Sequence, residues 1–372
     1  MIYYIIFGSM LSFCVLLQLA EIFNINANQI DKALFWFFSI ILVVMAAIRN
    51  NVGLDFENYK RGYYAINNSS LGIIKILINA NYFEPLYNLL NIIAPSFQFL
   101  IIICAGLGVL TKVIYYNKTN ARLFCLLLYY CSIFLYYDMG IMRQGISLSI
   151  VWFALKYVKK RDIKRFIIWL LVGAMFHVTA LLAFPIYFLG NKRYKPRFYF
   201  MWLVIGLGIS LAYNILIRLT IKYGGIYIAH KINAYTTYLN TESNLASLAS
   251  TIIIRLGILV ILYRSIRIIE RRQKDVYDGF DDNALYFNAY YISIVEMIVF
   301  ASLFILATRG TGVLYFCYIP IFSSVISNKK MAVHKRLIFF TIAIAFVTHT
   351  FLNTIEDSVG NLYIPYSTFF GG

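Results

Sequence analysis

The sequence predicts an all-α polytopic membrane protein with about ten full transmembrane helices, since a helix crosses the hydrocarbon core with about 20 residues. Three observations predict this class. The 372-residue chain is 61% hydrophobic and only 13% charged, which is more apolar than a soluble core requires. Long runs such as 35–48, 100–110 and 292–307 carry one charge at most. Lys and Arg cluster in short hydrophilic segments between the runs. The spans are predicted to be helices, because backbone groups in lipid must form their hydrogen bonds within their own segment.

The apolar runs between these stops give the spans in chain order. The N-terminal run lacks a charged n-region and a small-x-small cleavage site, so it is predicted as a retained first span. A helix over 83–95, ending at Pro95, is predicted to lie at the membrane surface. The predicted spans are 2–23, 33–48, 98–116, 123–138, 142–158, 198–219, 247–269, 284–307, 311–328 and 337–353.

Segment 166–189 is long enough for one span, but basic clusters flank both of its ends, at 156–165 and 192–197. A single crossing would place one cluster outside. Two short helices that meet near His177 keep both clusters inside. Because a re-entrant hairpin is permitted where it is buried in protein or lines a wet cavity, we predict a re-entrant or broken hairpin here.

With that hairpin, most of the 33 Lys and Arg fall on the cytoplasmic side, as the positive-inside rule requires. The N-terminus, the tail 354–372 and two larger segments, 49–97 and 220–246, then lie in the periplasm. The whole chain, 1–372, is predicted as one integral membrane domain. The predicted cytoplasmic residues are Lys32, Lys112, Lys118, Arg122, the basic residues of 156–165, 192–197 and 264–274, and Lys329, Lys330, Lys335 and Arg336.

The composition excludes several classes of function. The net charge of +17 does not indicate nucleic-acid binding, because the basic residues lie along turns between spans and not on a soluble face with base-stacking aromatics. The five cysteines lie in apolar runs without disulfide or metal-ligand spacing. The sequence has no Walker loop, no Cys/His metal set and no Gly-x-Ser-x-Gly. We expect no metal and no cofactor, so any catalysis uses Arg, His and acidic residues.

A small set of polar residues collects at the predicted outer face. Gly53 permits a tight turn between Arg49 and Asp55, and Arg49 offers a planar set of donors for phosphate, unless it only snorkels at a helix end. Arg143 lies in the first turn of a helix, where the helix N-terminus and the guanidinium suit an anion. The alternative is an Asp138–Arg143 ion pair that holds two spans together.

His177 is predicted at the hairpin tip. An imidazole titrates near neutrality, so His177 is either a general base or a structural histidine bonded to a carbonyl at the helix break. Arg309 is predicted in a turn between two spans on the outer side. Glu296 and Arg255 lie within spans, and each is expected to face the interior and find a partner.

Four short motifs occur in order with fitting spacing, and together they resemble the EpsG-like branch of bacterial Wzy-type polysaccharide polymerases. The resemblance covers about residues 45–190, and beyond them only the Arg309 turn is a match. The motifs are the Arg49…Gly53-Leu-Asp55…Tyr59 loop, the Glu84-Pro85-Leu86-Tyr87 and Met142-Arg143-Gln144-Gly145 helix starts, and Phe176-His177-Val178-Thr179-Ala180-Leu181.

The resemblance implies a GT-C-like multi-span bundle in the bacterial inner membrane. It implies a glycosyltransferase for O-antigen (lipopolysaccharide), capsule or exopolysaccharide that joins undecaprenyl-pyrophosphate-linked oligosaccharide units on the periplasmic face. The growing chain leaves its carrier and is transferred to the non-reducing end of the incoming unit. A chain-length regulator and a flippase are further expected partners, besides the lipid bilayer.

On this interpretation, preorganised guanidinium donors stabilise the pyrophosphate leaving group. His177 deprotonates the acceptor hydroxyl or holds a phosphate, with Asp55 as the rival base. The predicted pyrophosphate ligands are Arg143, Arg309 and Arg49, supported by Gln144, Tyr59 and Glu84.

Two other classes of function remain open. A transporter or flippase of polyprenol-linked saccharides would also have many helices and basic cavity residues, although internal repeats would favour it and the sequence shows none. The second class is a lipid-phosphate-sugar glycosyltransferase with a metal held by Asp55 and Glu57. Metal dependence of the activity would separate this class from a polymerase.

Overall fold

The computed structural model describes residues 1–79, 82–213, 242–272, 282–329, 331–356 and 362–371, with positions 215, 219 and 223. Within these residues the chain forms helices and turns, and its β pairing is limited to one antiparallel bridge between Arg49 and Thr368. The predicted all-α class is confirmed. The predicted outer segment 220–246 lies almost wholly outside the described residues.

Six helices in the described part of the chain are long and apolar enough to cross a membrane. A bent pair, Leu306–Tyr315 and Tyr318–Ile326 at 42°, makes a seventh if it counts as one span. The predicted ten spans are therefore not confirmed. Two helices that correspond to predicted spans are not among the six. Pro196–Leu211 is only 16 residues long, and Met142–Lys159 includes three basic residues among its 18. The six helices are Ile2–Ile22, Asn28–Ile48, Phe97–Tyr116, Arg122–Gly140, Ala246–Ile268 and Val333–Glu356.

The chain forms two compact units. The first contains Met1–Lys156, Lys164–Leu181 and Ile319–Gly372. The second contains Tyr157–Ile163 and Leu182–Tyr318. The prediction of a single membrane domain stays a prediction.

In the first unit, hydrogen bonds join neighbouring helices at both ends of helix Asn28–Ile48. At its start, the Asp31 carboxylate accepts from the backbone N–H and the guanidinium of Arg122, at 3.2 and 3.3 Å. At its end, the Gln98 amide donates to the Ala47 carbonyl at 2.6 Å. The Asp31 end is the predicted cytoplasmic end, and the Ala47 end is the predicted outer end.

The C-terminal tail, 362–369, returns to the outer end of the same helix. The backbone N–H of Asn50 donates to the Ser367 carbonyl at 2.9 Å, and that of Phe369 donates to Ile48 at 3.1 Å. The tail and the loop after the second helix therefore lie at the same end of the first unit, as the predicted topology requires.

Lys112 is buried inside the first unit, so its predicted place on the cytoplasmic surface is wrong. Its ammonium lies 2.7 Å from the Asp138 carboxylate and donates to the carbonyls of Gly108 and Gly145 at 3.0 and 2.9 Å. The Tyr129 hydroxyl donates to the other Asp138 oxygen at 2.6 Å. A Cβ on either glycine would lie 2.6 or 2.7 Å from the Asp138 carboxylate, so the glycines make room for this pair.

Segment 166–189 is broken at the predicted place. Helix Ile163–Ala174 ends, residues 175–177 turn, and a 3-10 helix follows over Val178–Ala183. The two ends of the segment meet, since the Tyr187 hydroxyl donates to the Arg161 carbonyl at 2.7 Å and the Arg161 guanidinium donates to the Tyr187 carbonyl at 2.6 Å. A straight helix of this length would separate its ends by more than about 30 Å, so the contact supports the hairpin.

In the second unit, Arg309 lies within a π-helix, Leu306–Gly310, so its predicted position in a turn between two spans is wrong. The helix breaks fall instead at 300–303 and at 316–317, because helical hydrogen bonding continues through the glycine-containing stretch around Arg309. Arg255 finds the predicted interior contact, with its guanidinium 3.8 Å from the Tyr315 ring centroid. Glu296 is buried, and its side chain has no hydrogen-bond partner in the described part of the chain.

Candidate functional site

The loop after the second helix is fixed against the end of helix Arg122–Gly140. Gly53 has φ +113°, and a Cβ there would lie 2.2 Å from the Met139 carbonyl oxygen, so glycine is required. The backbone N–H of Asp55 donates to the Gly140 carbonyl at 3.2 Å, and Asp55 directly precedes the next helix. These contacts fix Arg49 and Asp55 at the predicted outer end of the first unit.

Arg49 is a fully buried cation, with 0% of its surface exposed. Its guanidinium donates to the Ala46 carbonyl and, at 3.5 Å, to the Asp138 carbonyl, while its Nε has no partner. No carboxylate among the described residues pairs with it. Burial lowers the pKa of Arg49, but an arginine stays protonated in a protein. The partners of this charge in the described part of the chain are therefore carbonyl dipoles and not a counterion.

Arg143 lies in the first turn of helix Met142–Lys159 and forms an ion pair with Glu84. Its guanidinium carbon lies 4.6 Å from the Phe83 ring centroid, 5.7 Å from Tyr59 and 5.9 Å from Tyr87. This is the aromatic contact that favours a partly desolvated cation. The Nε of Arg143 is buried and has no hydrogen-bond partner.

The alternative Asp138–Arg143 pair is wrong, because the Asp138 carboxylate is already bonded to Lys112 and Tyr129. Glu84, and not Asp138, is the ion-pair partner of Arg143. Glu84 is the N-cap residue of helix Pro85–Ile93, which is the helix predicted to lie at the membrane surface.

Tyr87 lies beside Arg143, whose guanidinium carbon is 5.9 Å from the Tyr87 ring centroid, and the charge of Arg49 also acts on it. The buried Tyr87 hydroxyl has no hydrogen-bond partner among the described residues. Burial raises the pKa of Tyr87 well above its ordinary value, while the charges of Arg143 and Arg49 act in the opposite direction. Burial likewise raises the pKa of Tyr59 to about 12. Both phenols therefore keep their proton at neutral pH. We name Arg49, Tyr59, Glu84, Tyr87 and Arg143 the Arg–Tyr cluster.

His177 lies close to the helix that carries Arg143. Its carbonyl accepts from the Ser147 hydroxyl at 3.3 Å, one helical turn beyond Arg143. Its ring Nδ1 is 2.8 Å from the Thr179 hydroxyl and 3.4 Å from the Thr179 backbone nitrogen. The backbone N–H of Leu86 donates to the Met175 carbonyl at 2.9 Å and joins the hairpin tip to the Glu84 helix. The bond to Thr179 fixes the imidazole, which suits both a base and a structural histidine.

The first unit brings together all but one of the predicted site residues, since Arg309 belongs to the second unit. Gln144 is buried beside Arg143 in the same helical turn. Asp55 is partly exposed and accepts a hydrogen bond from Asn58 at 3.4 Å. Among the described residues no group of three His, Cys, Asp or Glu could hold a metal ion, so the Asp55–Glu57 pair has no third ligand there.

Sequence reasoning missed three tyrosines as site residues. Tyr87 follows Glu84 by three residues at a helix start, and this spacing, which puts both on one helix face, was the available signal. Tyr363 and Tyr366 lie in the tail near Arg49, and their hydroxyls donate to the Leu135 and Met45 carbonyls at 3.0 and 2.8 Å. No local pattern indicates that the tail returns here.

A family model described as the EpsG family matches residues 32–368 of the chain. The match includes every predicted site residue, Arg309 among them. No curated protein and no solved structure matches the chain.

Proposed function

Because the chain belongs to the EpsG family, we propose that it is a polysaccharide polymerase of the bacterial inner membrane. The family suggests a polymerase-like membrane protein, and the six long apolar helices suggest a multi-pass one. The proposed reaction joins undecaprenyl-pyrophosphate-linked oligosaccharide units on the periplasmic face, in the assembly of O-antigen, capsule or exopolysaccharide.

One observation carries the proposal: the Arg–Tyr cluster holds one fully buried guanidinium and one partly exposed guanidinium but a single carboxylate. Glu84 balances Arg143, whereas Arg49 has carbonyl partners alone among the described residues. Within the described residues, the Nε of each arginine and the hydroxyl of Tyr87 are donors without partners. A buried charge without a counterion is unfavourable, so a bound anion would stabilise the cluster. A pyrophosphate supplies several oxygens for these donors.

The chemistry follows from this placement. The hydroxyl oxygen at the non-reducing end of the incoming unit attacks the anomeric carbon of the growing chain. The bond from that carbon to the carrier's pyrophosphate breaks, and the pyrophosphate oxygen leaves with the electron pair. Arg49 and Arg143 stabilise the charge that develops there, which is the effect of preorganised donors in a site of low dielectric constant.

A base must accept the proton of the attacking hydroxyl, and His177 and Asp55 are the two candidates. His177 is joined to the Arg143 helix through Ser147, and Asp55 is partly exposed at the start of its helix. The role of Arg309 as a third pyrophosphate ligand rests on the family resemblance.

Arg49 is covered by the C-terminal tail, because the tail pairs with residues 48–53. We infer that the substrate's pyrophosphate enters when the tail moves away from this loop.

The test is the Arg143→Ala variant, assayed in cells for polymer and for single lipid-linked units. We expect polymer to disappear while single units persist, at a normal level of the protein. Arg61→Ala, which changes an exposed arginine on the neighbouring helix, is the matched control and should leave polymer unchanged. Full-length polymer from Arg143→Ala would refute the proposed role of Arg143.

A further inference from the structure

The second unit contains a small cavity that is open to solvent. Two arginines, Arg193 and Arg267, and three tyrosines, Tyr194, Tyr199 and Tyr263, line it, with Phe287 as part of an apolar wall. None of these residues belongs to the Arg–Tyr cluster, and the proposed polymerase reaction does not use them.

We place the cavity at the level of the membrane surface, because two of its lining residues lie at the end of a candidate span. Tyr263 and Arg267 lie in the last turns of the candidate span Ala246–Ile268. Tyrosines and basic residues are enriched where a span leaves the hydrocarbon core. This end of the span also belongs to the basic stretch 264–274, so the local charge favours anionic headgroups.

The turn that carries Arg193 is held in place. The buried amide of Asn288 donates to the carbonyls of Gly190 and Lys192, both at 2.8 Å. The Tyr199 hydroxyl in turn donates to the Asn288 side-chain oxygen at 2.8 Å. The backbone immediately before Arg193 is therefore fixed relative to the cavity wall, which lowers the entropy lost on binding.

The helix that carries Tyr263 and Arg267 contributes further hydrogen-bond donors to the cavity. The Arg267 guanidinium carbon lies 5.6 Å from the Tyr263 ring centroid. The Tyr263 hydroxyl is buried and has no hydrogen-bond partner in the part of the chain that the structure describes. Two guanidinium groups and a phenolic O–H are donors suited to phosphate oxygens, and Arg is the side chain that matches phosphate geometry best.

We propose that this cavity binds the phosphate of an anionic phospholipid. Arg193 and Arg267 contact the phosphate, the Tyr263 hydroxyl donates to it, and the first part of the acyl chains packs against Ile266 and Phe287. The apolar wall and the level of the site favour a membrane lipid over a soluble phosphate compound.

The test measures phospholipid retained by the purified full-length protein in detergent, by native mass spectrometry with added phosphatidylglycerol or phosphatidylcholine. The wild type should retain phosphatidylglycerol preferentially. The double variant Arg193→Gln/Arg267→Gln should lower that retention by about tenfold or more, as expected when charged hydrogen bonds are lost. Arg264→Gln, an exposed arginine on the same helix outside the cavity, is the matched control and should retain lipid normally.

Tyr263→Phe keeps the ring and removes only the hydroxyl, so it tests the site without a large change in packing, and we expect a several-fold loss of retention. Equal retention by the wild type and the double variant would refute the site. Displacement of phosphatidylglycerol by millimolar glycerol phosphate would refute the lipid assignment in favour of a soluble phosphate ligand.

Discussion

Two buried cations in the first unit differ in how their charge is balanced. The Lys112 ammonium has the Asp138 carboxylate at 2.7 Å and two carbonyl acceptors. Arg49 has two carbonyl acceptors and no carboxylate among the described residues. One of those carbonyls belongs to Asp138, so a single residue serves both cations. A paired charge with all its donors bonded is structural, whereas an incompletely paired one can receive an anionic ligand.

The comparison is tested most severely by Arg49→Gln. We expect polymer formation to be lost, because the cluster then keeps only the Arg143 guanidinium, which already pairs with Glu84. The thermal unfolding midpoint in detergent should change little, since the variant removes a buried charge that lacked a counterion. Arg49→Lys keeps the charge without the planar donors and should also be strongly impaired. Normal polymer from Arg49→Gln would show that Arg49 only supports the loop.

His177→Gln should fold normally and lose about 10²–10⁴-fold in polymerisation if His177 is the general base. In that case the wild-type rate should fall in acid, because a protonated imidazole cannot accept the proton of the hydroxyl. If His177 instead holds phosphate, acid should raise the rate or leave it unchanged. An assay of purified protein on lipid-linked units across about pH 5.5–8.5 separates the two roles. Near-normal activity of the variant would leave a structural histidine and move the base to Asp55.

Tyr87→Phe removes a buried hydroxyl that has no hydrogen-bond partner among the described residues and keeps the ring. We expect about a tenfold loss of activity, the usual size for one hydrogen bond to a charged group. Protein level and unfolding midpoint should match the wild type. An unchanged rate would mean that the hydroxyl does not reach the substrate.

Lys112→Met should affect stability and not activity, which is the reverse of Arg49→Gln. We expect no loss of activity per folded molecule. The free energy of unfolding should fall by about 3–5 kcal/mol, because the Asp138 carboxylate is left buried without a counterion. The double variant Lys112→Met/Asp138→Asn removes both charges and should recover most of the stability. Thermal unfolding of both variants in detergent tests this. A Lys112→Met protein as stable as the wild type would contradict the structural assignment.

The sequence was sufficient for features that depend on local pattern. Apolar runs and basic stops located most of the helices, and opposing basic clusters located the break at His177. Lys112 was misplaced because a lysine near the end of a span has the same pattern whether it faces water or a buried carboxylate. The Arg143–Glu84 pair joins residues far apart in the chain, and the tail returns to the second helix through backbone hydrogen bonds. Such contacts depend on tertiary packing, which leaves no periodic signal.

The most direct test of the central claim is the binding of a polyprenyl pyrophosphate to the purified protein, compared with the matching monophosphate. If Arg49 and Arg143 hold the pyrophosphate, the wild type and the control Arg61→Gln should prefer the pyrophosphate. Arg49→Gln and Arg143→Gln should each lose that preference while remaining folded. Equal affinity of the wild type and both variants for the pyrophosphate would contradict the account.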